Sequence, residues 1–336
     1  MSNNLVSIDF YPQSILKEDK SPDFGIEIDE KCQAINAAMK GWGANHNQLI
    51  EFMGGTLCDE RHKISLRYKE LFNEDLLDRI HKECSGDYGL AMEFLACSPA
   101  ISECYMLKKS FKGAGCIEEV AYSILCGRSN EEIDFLKKTY YKTFTGDLSK
   151  LVGNELRGDF GRIASACLQG AEEPFDPHYH TLEKAKEDAE SLWKAGQGRW
   201  FGNDEKAMIK IVVMSPPKYL KIVNDAYAEK YGYTLFKAFE KELSGNAEEA
   251  ALYTLGMKLK PYETVAKLIK KACAGLGTNE LLLTSTLIRF QDVLGQVNLA
   301  HMDLFGKTIH ERIRHECSGK YKTLLMTVVN KVCPEQ

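Results

Sequence analysis

The stretch Met39-Lys40-Gly41-Trp42-Gly43 is a tight glycine loop, and the short acidic turn Glu83-Cys84-Ser85-Gly86 follows it. From Gly43 to Glu83 the separation is 40 residues. A helix that ends in such a loop leaves backbone oxygens available, because its last carbonyls have no partner within the helix. The loop and the turn therefore offer carbonyl oxygens and a carboxylate, which are ligands that suit a hard cation such as calcium.

Variants of this pair occur four times along the chain. Acidic turns begin at Glu83, Glu155, Glu242 and Glu316, and glycine loops precede them at 41–43, 113–115, 200–202 and 275–277. The distance from the last loop glycine to the glutamate is 40, 40, 40 and 39 residues. Two features in a constant register indicate four internal repeats, and such repeats determine the architecture.

The step from the second glutamate to the third is 87 residues, whereas the other two steps are 72 and 74. The additional residues fall near Pro174 and Pro177, which interrupt helical patterning. The predicted organisation is an N-terminal tail (1–23), repeat 1 (24–96), repeat 2 (97–169), a connector (170–184), repeat 3 (185–257) and repeat 4 (258–333).

Hydrophobic periodicity within the repeats is helical. After the first acidic turn, Tyr88, Ala91, Met92 and Leu95 have the spacing of a single apolar helix face. The pattern and its glycine and proline punctuation predict roughly five helices in each repeat. Asparagines are expected to cap the helix after three of the loops, at Asn45, Asn203 and Asn279. No segment alternates as a half-buried strand does, so the predicted fold class is all-α.

Composition excludes some classes of function. The net charge of −5 disfavours nucleic acid, which usually needs a concentrated basic patch. We find no signal-peptide pattern at the N-terminus and no apolar run of the roughly 20 residues that a membrane-spanning helix requires. The eleven cysteines are therefore expected to be reduced thiols of a cytoplasmic protein. Several are expected to be buried, namely Cys97, Cys104, Cys126 and Cys167.

The chemistry of the paired loop and turn is specific. Calcium takes roughly six to eight oxygens, so three carbonyls and one bidentate glutamate leave about two positions for water or a phosphate oxygen. The residue at each loop tip is apolar, namely Trp42, Ala114, Phe201 and Leu276. Such tips suit a bilayer interface, and the basic residues before three of them, Lys40, Lys112 and Arg199, favour anionic headgroups.

These repeated motifs resemble those of the annexin family, over about 310 of the 336 residues. The resemblance implies a superhelical disc of four five-helix repeats with its calcium loops on the convex face. It also implies a non-enzymatic protein that binds acidic phospholipid at the inner face of membranes, peripherally and reversibly, through calcium. The cysteine-rich repeats and unusual loops favour the alpha-giardins, annexin-like proteins linked to a protist cytoskeleton.

The resemblance implies one set of calcium ligands in each repeat. The sets are Met39, Gly41, Gly43 and Glu83; Phe111, Gly113, Gly115 and Glu155; Gly198, Trp200, Gly202 and Glu242; and Cys273, Gly275, Gly277 and Glu316. The implied membrane contacts are Trp42, Lys40, Lys112, Trp200, Phe201 and Leu276. Two departures from the family pattern affect the loops. Trp200 replaces the first loop glycine in repeat 3, and the threonine expected after the loop remains only as Thr278.

Other interpretations stay open. Glycine loops also join helices in α-solenoids, so the alternative function is a helical scaffold for cytoskeletal proteins, with calcium secondary. An enzyme is disfavoured because the chain has no GxSxG, HExxH or Walker motif. Cys84 and Cys317 flank acidic residues, which raise the pKa of a thiol and disfavour a nucleophilic role.

Overall fold

The computed structural model describes residues 5–17, 23–41, 43–112, 116–198, 205–275 and 277–335. All regular secondary structure in these ranges is helical, which confirms the all-α prediction. None of the helices within them combines the length and the apolar character needed to cross a bilayer.

The first half of the chain contains a short N-terminal helix and two groups of five helices. Helix α1 spans Gln13–Leu16. Repeat 1 contains α2 (Gly25–Ala38), α3 (His46–Gly54), α4 (Cys58–Phe72), α5 (Leu76–Glu83) and α6 (Gly86–Leu95). Repeat 2 contains α7 (Pro99–Ser110), α8 (Glu118–Leu125), α9 (Asn130–Phe144), α10 (Leu148–Glu155) and α11 (Gly158–Cys167).

The second half follows the same order with two irregular segments. Repeat 3 contains α12 (Leu182–Gly198), α13 (Glu205–Met208), a π-helical segment (Ile209–Val213), α14 (Pro217–Tyr231), α15 (Leu235–Glu242) and α16 (Gly245–Leu259). Repeat 4 contains α17 (Pro261–Ala272), α18 (Glu280–Arg289), a 3₁₀ segment (Gln291–Val293), α19 (Leu294–Phe305), α20 (Ile309–Glu316) and α21 (Gly319–Asn330). The acidic turns predicted from sequence therefore join the last two helices of each repeat.

Tertiary contacts divide the chain into two compact units. One unit contains Met1–Ile8 and Gly113–Thr264, and the other contains Asp9–Lys112 and Val265–Gln336. Most of repeat 2 and repeat 3 thus share the first unit, whereas repeats 1 and 4 share the second together with α7 of repeat 2. This pairing does not follow the order of repeats along the chain.

Buried polar contacts join repeats 1 and 4 within the second unit. Arg61 of α4 is only 3% exposed. Its guanidinium donates to the Ile288 carbonyl at 3.2 Å and to the side chain of Gln291. Gln291 Nε2 in turn donates to the Val328 carbonyl at 3.3 Å. Since a buried polar group without a partner is costly, these bonds fix how the two repeats pack.

In the first unit, a buried lysine joins the connector to repeat 3. Lys258 Nζ donates to the carbonyls of Val213 and Ser215, each at 2.7 Å, and lies 2.7 Å from Glu172 Oε2. Burial lowers the pKa of Lys258, and the nearby Glu172 carboxylate opposes that shift. Three oxygen partners compensate for the desolvation of this ammonium group.

The burial predicted for four of the cysteines is confirmed. All eleven cysteines are free thiols, and the four expected to be buried, Cys97, Cys104, Cys126 and Cys167, are at most 8% exposed. In the interior a free cysteine behaves as a small hydrophobic residue.

Two of the three asparagine caps predicted from sequence are also present. Asn45 Oδ1 accepts from the Gln48 amide at 3.3 Å before α3, and Asn279 Oδ1 accepts from the Leu282 amide at 3.0 Å before α18. Asn203 lies outside the described residues. Each cap satisfies one of the amides that a helix start leaves without an intrahelical partner.

Replacing the second cap, in Asn279→Ala, is expected to lower the free energy of unfolding by about 1 kcal/mol, because an amide of α18 loses its acceptor. Urea denaturation measures the change. The exposed Asn246 lies inside the first turn of α16 and serves as the control. Asn246→Ala should change stability by less than about 0.5 kcal/mol. Equal effects of the two substitutions would show that the cap contributes nothing of its own.

Candidate functional site

The loop between α2 and α3 reverses direction within a few residues. Gly41 and Gly43 have φ values of +101° and +92°, in the region that favours glycine. The Asn45 amide closes the loop by donating to the Ala38 carbonyl at 2.7 Å. Among the described residues, no heavy atom lies within 4 Å of the position that a Cβ would take at either glycine. The two loop glycines are thus not packed against other segments of the described chain.

The loop between α17 and α18 has the same conformation. Gly275 and Gly277 both have a φ value of +99°, and the Asn279 amide donates to the Ala272 carbonyl at 2.8 Å. The matching angles and closing bond show that the first and fourth loops are structural equivalents. Both loops lie in the unit that contains repeats 1 and 4.

In repeat 1, the acidic turn lies against the glycine loop, and an arginine joins them. Arg79 of α5 donates from Nη2 to the Met39 carbonyl, and the same nitrogen lies 3.0 Å from Glu83 Oε1. The carbonyl and the carboxylate were both predicted as ligands of one cation. The structure brings them within reach of a single cationic group.

In repeat 4, a hydroxyl joins the same two elements. Thr278 Oγ1, just after the loop, donates to Glu316 Oε2 at 3.3 Å and to the Glu316 carbonyl at 3.4 Å. Burial raises the pKa of the Cys273 thiol to about 11, and the Glu316 charge adds to the shift while Arg312 opposes it. The charge of Glu316 is therefore close enough to act on the residue that begins the loop.

The other two loops are described only in part. In repeat 2, Phe111 follows the last residue of α7 and Glu155 ends α10, but Gly113 and Gly115 lie outside the described residues. In repeat 3, Gly198 ends α12 and Glu242 ends α15. The remaining predicted ligands of that repeat, Trp200 and Gly202, lie outside the described residues. Whether these loops meet their glutamates stays a prediction.

Two of the predicted membrane contacts have a described position. Lys40 and Lys112 are both exposed, as an electrostatic contact with headgroups would require. The other four, Trp42, Trp200, Phe201 and Leu276, lie outside the described residues.

The donor set at the first and fourth loops suits a hard cation. Among the described residues, no group of three or more His, Cys, Asp or Glu side chains is placed to hold a metal ion. In repeat 1 the groups that meet are the Met39 carbonyl and the Glu83 carboxylate. Oxygen ligands of these two kinds are ones that calcium accepts readily and zinc does not favour. In repeat 1 the positively charged Arg79 guanidinium contacts both the Met39 carbonyl and the Glu83 carboxylate.

The sequence interpretation overlooked Arg79. The sequence does contain a signal for its contact with Glu83. Arg79 lies four residues before Glu83, and residues at that spacing share a helix face. The same spacing separates Arg312 from Glu316.

The expected direction of the pKa shift at the two turn cysteines is correct, but the main cause differs. Burial is the principal reason that the pKa values of Cys84 and Cys317 are raised, the latter to about 12. The neighbouring Glu83 and Glu316 contribute less.

The fold and loops define a class: all-helical proteins of four repeats in which a glycine loop and a distant glutamate form each candidate cation site. The Annexin family model matches residues 30–93, 102–166, 187–253 and 264–328. The chain therefore belongs to the annexin family. Annexins are generally calcium-dependent phospholipid-binding proteins.

Similar curated proteins are themselves annexins. Human annexin A13 is 29% identical over 311 residues, which cover 91% of this chain and 96% of the human protein. Annexin A13 of Schistosoma japonicum is 30% identical over 319 residues, which cover 89% and 90% of the two chains. The similarity to annexin A7 of Dictyostelium discoideum covers only 64% of that longer protein.

Solved structures give the same fold. Annexin III superposes with a TM-score of 0.83 at 25% identity, covering 92% of this chain and 95% of that one. Calcium-bound annexin (Sm)1 has a TM-score of 0.77 at 22% identity and covers 92% of each chain. Calcium-bound alpha-14 giardin has a TM-score of 0.77 at 18% identity, covering 90% and 99%. At that identity the giardin supports the fold alone, so the alpha-giardin branch stays a prediction.

Proposed function

We propose that this chain binds calcium and, through it, the surface of acidic phospholipid membranes. The observation that carries the proposal is the convergence of the Met39 carbonyl and the Glu83 carboxylate on one cationic group. Family membership gives the expected metal and the expected lipid partner. The proposed location is the cytoplasmic face of membranes, where binding is peripheral and reversible.

The proposed ligands of the first site are the carbonyls of Met39, Gly41 and Gly43 with the Glu83 carboxylate. The two positive-φ glycines direct the backbone so that its oxygens are available at the end of α2. In the fourth repeat, Cys273, Gly275, Gly277 and Glu316 take the same roles. Corresponding residues of repeats 2 and 3 are assigned by register alone.

When bound, calcium supplies positive charge and open coordination positions that phosphate oxygens of a lipid can fill. The residues of this chain account for the remaining contacts. Lys40 and Lys112 are exposed next to two loops and attract anionic headgroups. The apolar tip residues enter the interface shallowly, where tryptophan in particular is stable.

Sedimentation with phosphatidylserine-containing vesicles tests the proposal. The protein is expected to pellet with these vesicles at millimolar calcium and to stay in solution in chelator. Vesicles of phosphatidylcholine alone provide the control for surface charge. Equal pelleting in chelator, or none at millimolar calcium, would contradict the proposal. Calcium-independent capture by purified actin filaments or microtubules would instead favour the scaffold alternative.

A further inference from the structure

Arg79 occupies the place between the proposed ligands of the first site. It lies on α5, one turn before Glu83, and its Nη2 contacts both the Met39 carbonyl and Glu83 Oε1. These two groups come from segments 40 residues apart in sequence. A guanidinium that contacts both is a positive group held by two of the four ligands proposed for a metal ion at the same place.

The fit of Arg79 is incomplete. Its Nε is buried and has no hydrogen-bond partner among the described residues. A buried donor without an acceptor is unfavourable, so the pull of the carbonyl and the carboxylate must outweigh that loss. The position of the side chain is thus set by the two proposed calcium ligands rather than by full satisfaction of its own donors.

The contact between Arg79 and the loop involves two sequence positions that differ among the repeats. They are the residue after the glycine loop and the residue four before the glutamate. In repeat 4 the residue after the loop is Thr278, whose hydroxyl joins the loop to Glu316. In repeat 1 that residue is Ala44, which has no hydroxyl, and Arg79 makes the connection instead. The position four before the glutamate is Leu151 in repeat 2 and Ala238 in repeat 3. Neither of these can place a cation at the site.

Repeat 4 has an arginine at this position but a different arrangement. Arg312 is 9% exposed, and its Nε has no hydrogen-bond partner among the described residues. Glu316 is held by Thr278 rather than by the arginine next to it on α20. Among the described residues, an arginine at this position contacts the loop carbonyl in repeat 1 only.

We propose that Arg79 is a tethered cation that closes the first calcium site in the metal-free protein and must be displaced before calcium binds there. This inference rests on the proposed function, whose first site it refines. A guanidinium and a divalent ion in contact with the same carbonyl and carboxylate would lie next to each other. Their positive charges would repel strongly, so the two groups cannot share these ligands. The apparent affinity of the first site equals its intrinsic affinity multiplied by the fraction of molecules in which Arg79 has moved away.

Terbium, a luminescent substitute for calcium, can test the first site selectively. Trp42 lies in the first loop and can sensitise an ion bound there, and Trp193→Phe with Trp200→Phe removes the two tryptophans near the third loop. In this background, Arg79→Met is expected to lower the half-saturating terbium concentration roughly tenfold or more. Arg79→Lys keeps a positive charge without the planar fork, so its affinity should stay closer to that of the parent protein.

Arg67→Met is the matched control. Its side chain is 27% exposed, as is that of Arg79, and it pairs with Asp29 and Glu70 away from the loops. The substitution removes the same charge and should leave terbium binding unchanged. Thermal unfolding of each variant verifies that it is folded. If Arg79→Met does not fold, Arg79→Gln, which also removes the charge but keeps a polar side chain, is compared with the parent.

The possible outcomes separate this inference from the proposed function. Terbium binding that is equal or weaker in Arg79→Met than in the parent would overturn the role of Arg79 and leave calcium-dependent membrane binding intact. If Arg79→Met does not fold, tighter terbium binding by Arg79→Gln than by the parent supports the inference, and equal or weaker binding contradicts it. An absence of luminescence in every variant, together with no calcium-dependent pelleting, would overturn the proposed function itself.

Discussion

Replacing Glu83, Glu155 and Glu316 together by glutamine is expected to abolish calcium-dependent sedimentation with phosphatidylserine vesicles. In the proposed sites each glutamate is the only charged ligand, and the other protein ligands are neutral carbonyls. A glutamine keeps the size of the side chain but removes the charge and the bidentate carboxylate. Because calcium affinity depends on the number of charged ligands, the half-saturating calcium concentration should rise at least roughly tenfold.

A charge-matched variant separates the sites from the overall charge of the protein. Glu70, Glu187 and Glu229 are exposed on helices away from the acidic turns. Their combined change to glutamine removes the same three negative charges and should leave calcium-dependent pelleting as it is in the parent protein. If the first triple variant also pelleted normally, these glutamates would not be the ligands, and the proposed sites of repeats 1, 2 and 4 would be wrong.

The second large effect is expected on stability. Arg289 and Glu103 form an ion pair at 2.7 Å, with side chains only 3% and 4% exposed. Tyr11 donates its hydroxyl to the other carboxylate oxygen, and the Arg289 guanidinium lies 5.3 Å from the centre of the Phe10 ring. Arg289→Met should lower the free energy of unfolding by about 3–5 kcal/mol, because a buried carboxylate loses its counter-charge. Urea denaturation measures this loss.

The double variant Glu103→Met/Arg289→Met distinguishes the lost pair from lost packing. Removing both charges leaves no unpaired ion, so much of the stability should return. Lys237→Met breaks the exposed pair between Lys237 and Glu240 and should have no measurable effect. A double variant as unstable as Arg289→Met would show that the packing of Arg289 on the aromatic rings dominates.

The N-terminal segment packs around the same ion pair. Its contacts were left open by the sequence. Phe10 and Tyr11 are 4% and 0% exposed, and the Phe10 ring lies 5.4 Å from that of Phe290. The tail before repeat 1 thus packs against residues of repeat 4 and against Glu103 of α7. No local pattern predicts this, because the partners lie 92 and 280 residues away.

Local features were predicted well. The helical class follows from apolar spacing, and the caps at Asn45 and Asn279 follow from residue type and position. Their prediction succeeded because a cap satisfies amides only three residues away. The cause of the thiol pKa shifts was predicted less well, since burial depends on packing between helices and not on the adjacent glutamate.

By itself, the sequence determined four repeats, an all-helical fold and the positions of the glycine loops. These properties depend on spacing along the chain and on the ability of glycine to adopt positive φ, both of which are local. The tertiary structure decided that repeats 1 and 4 share one unit with α7, and that the rest of repeat 2 shares the other with repeat 3. It also decided that Arg79 contacts the Met39 carbonyl, because that contact requires two segments far apart in sequence to pack side by side.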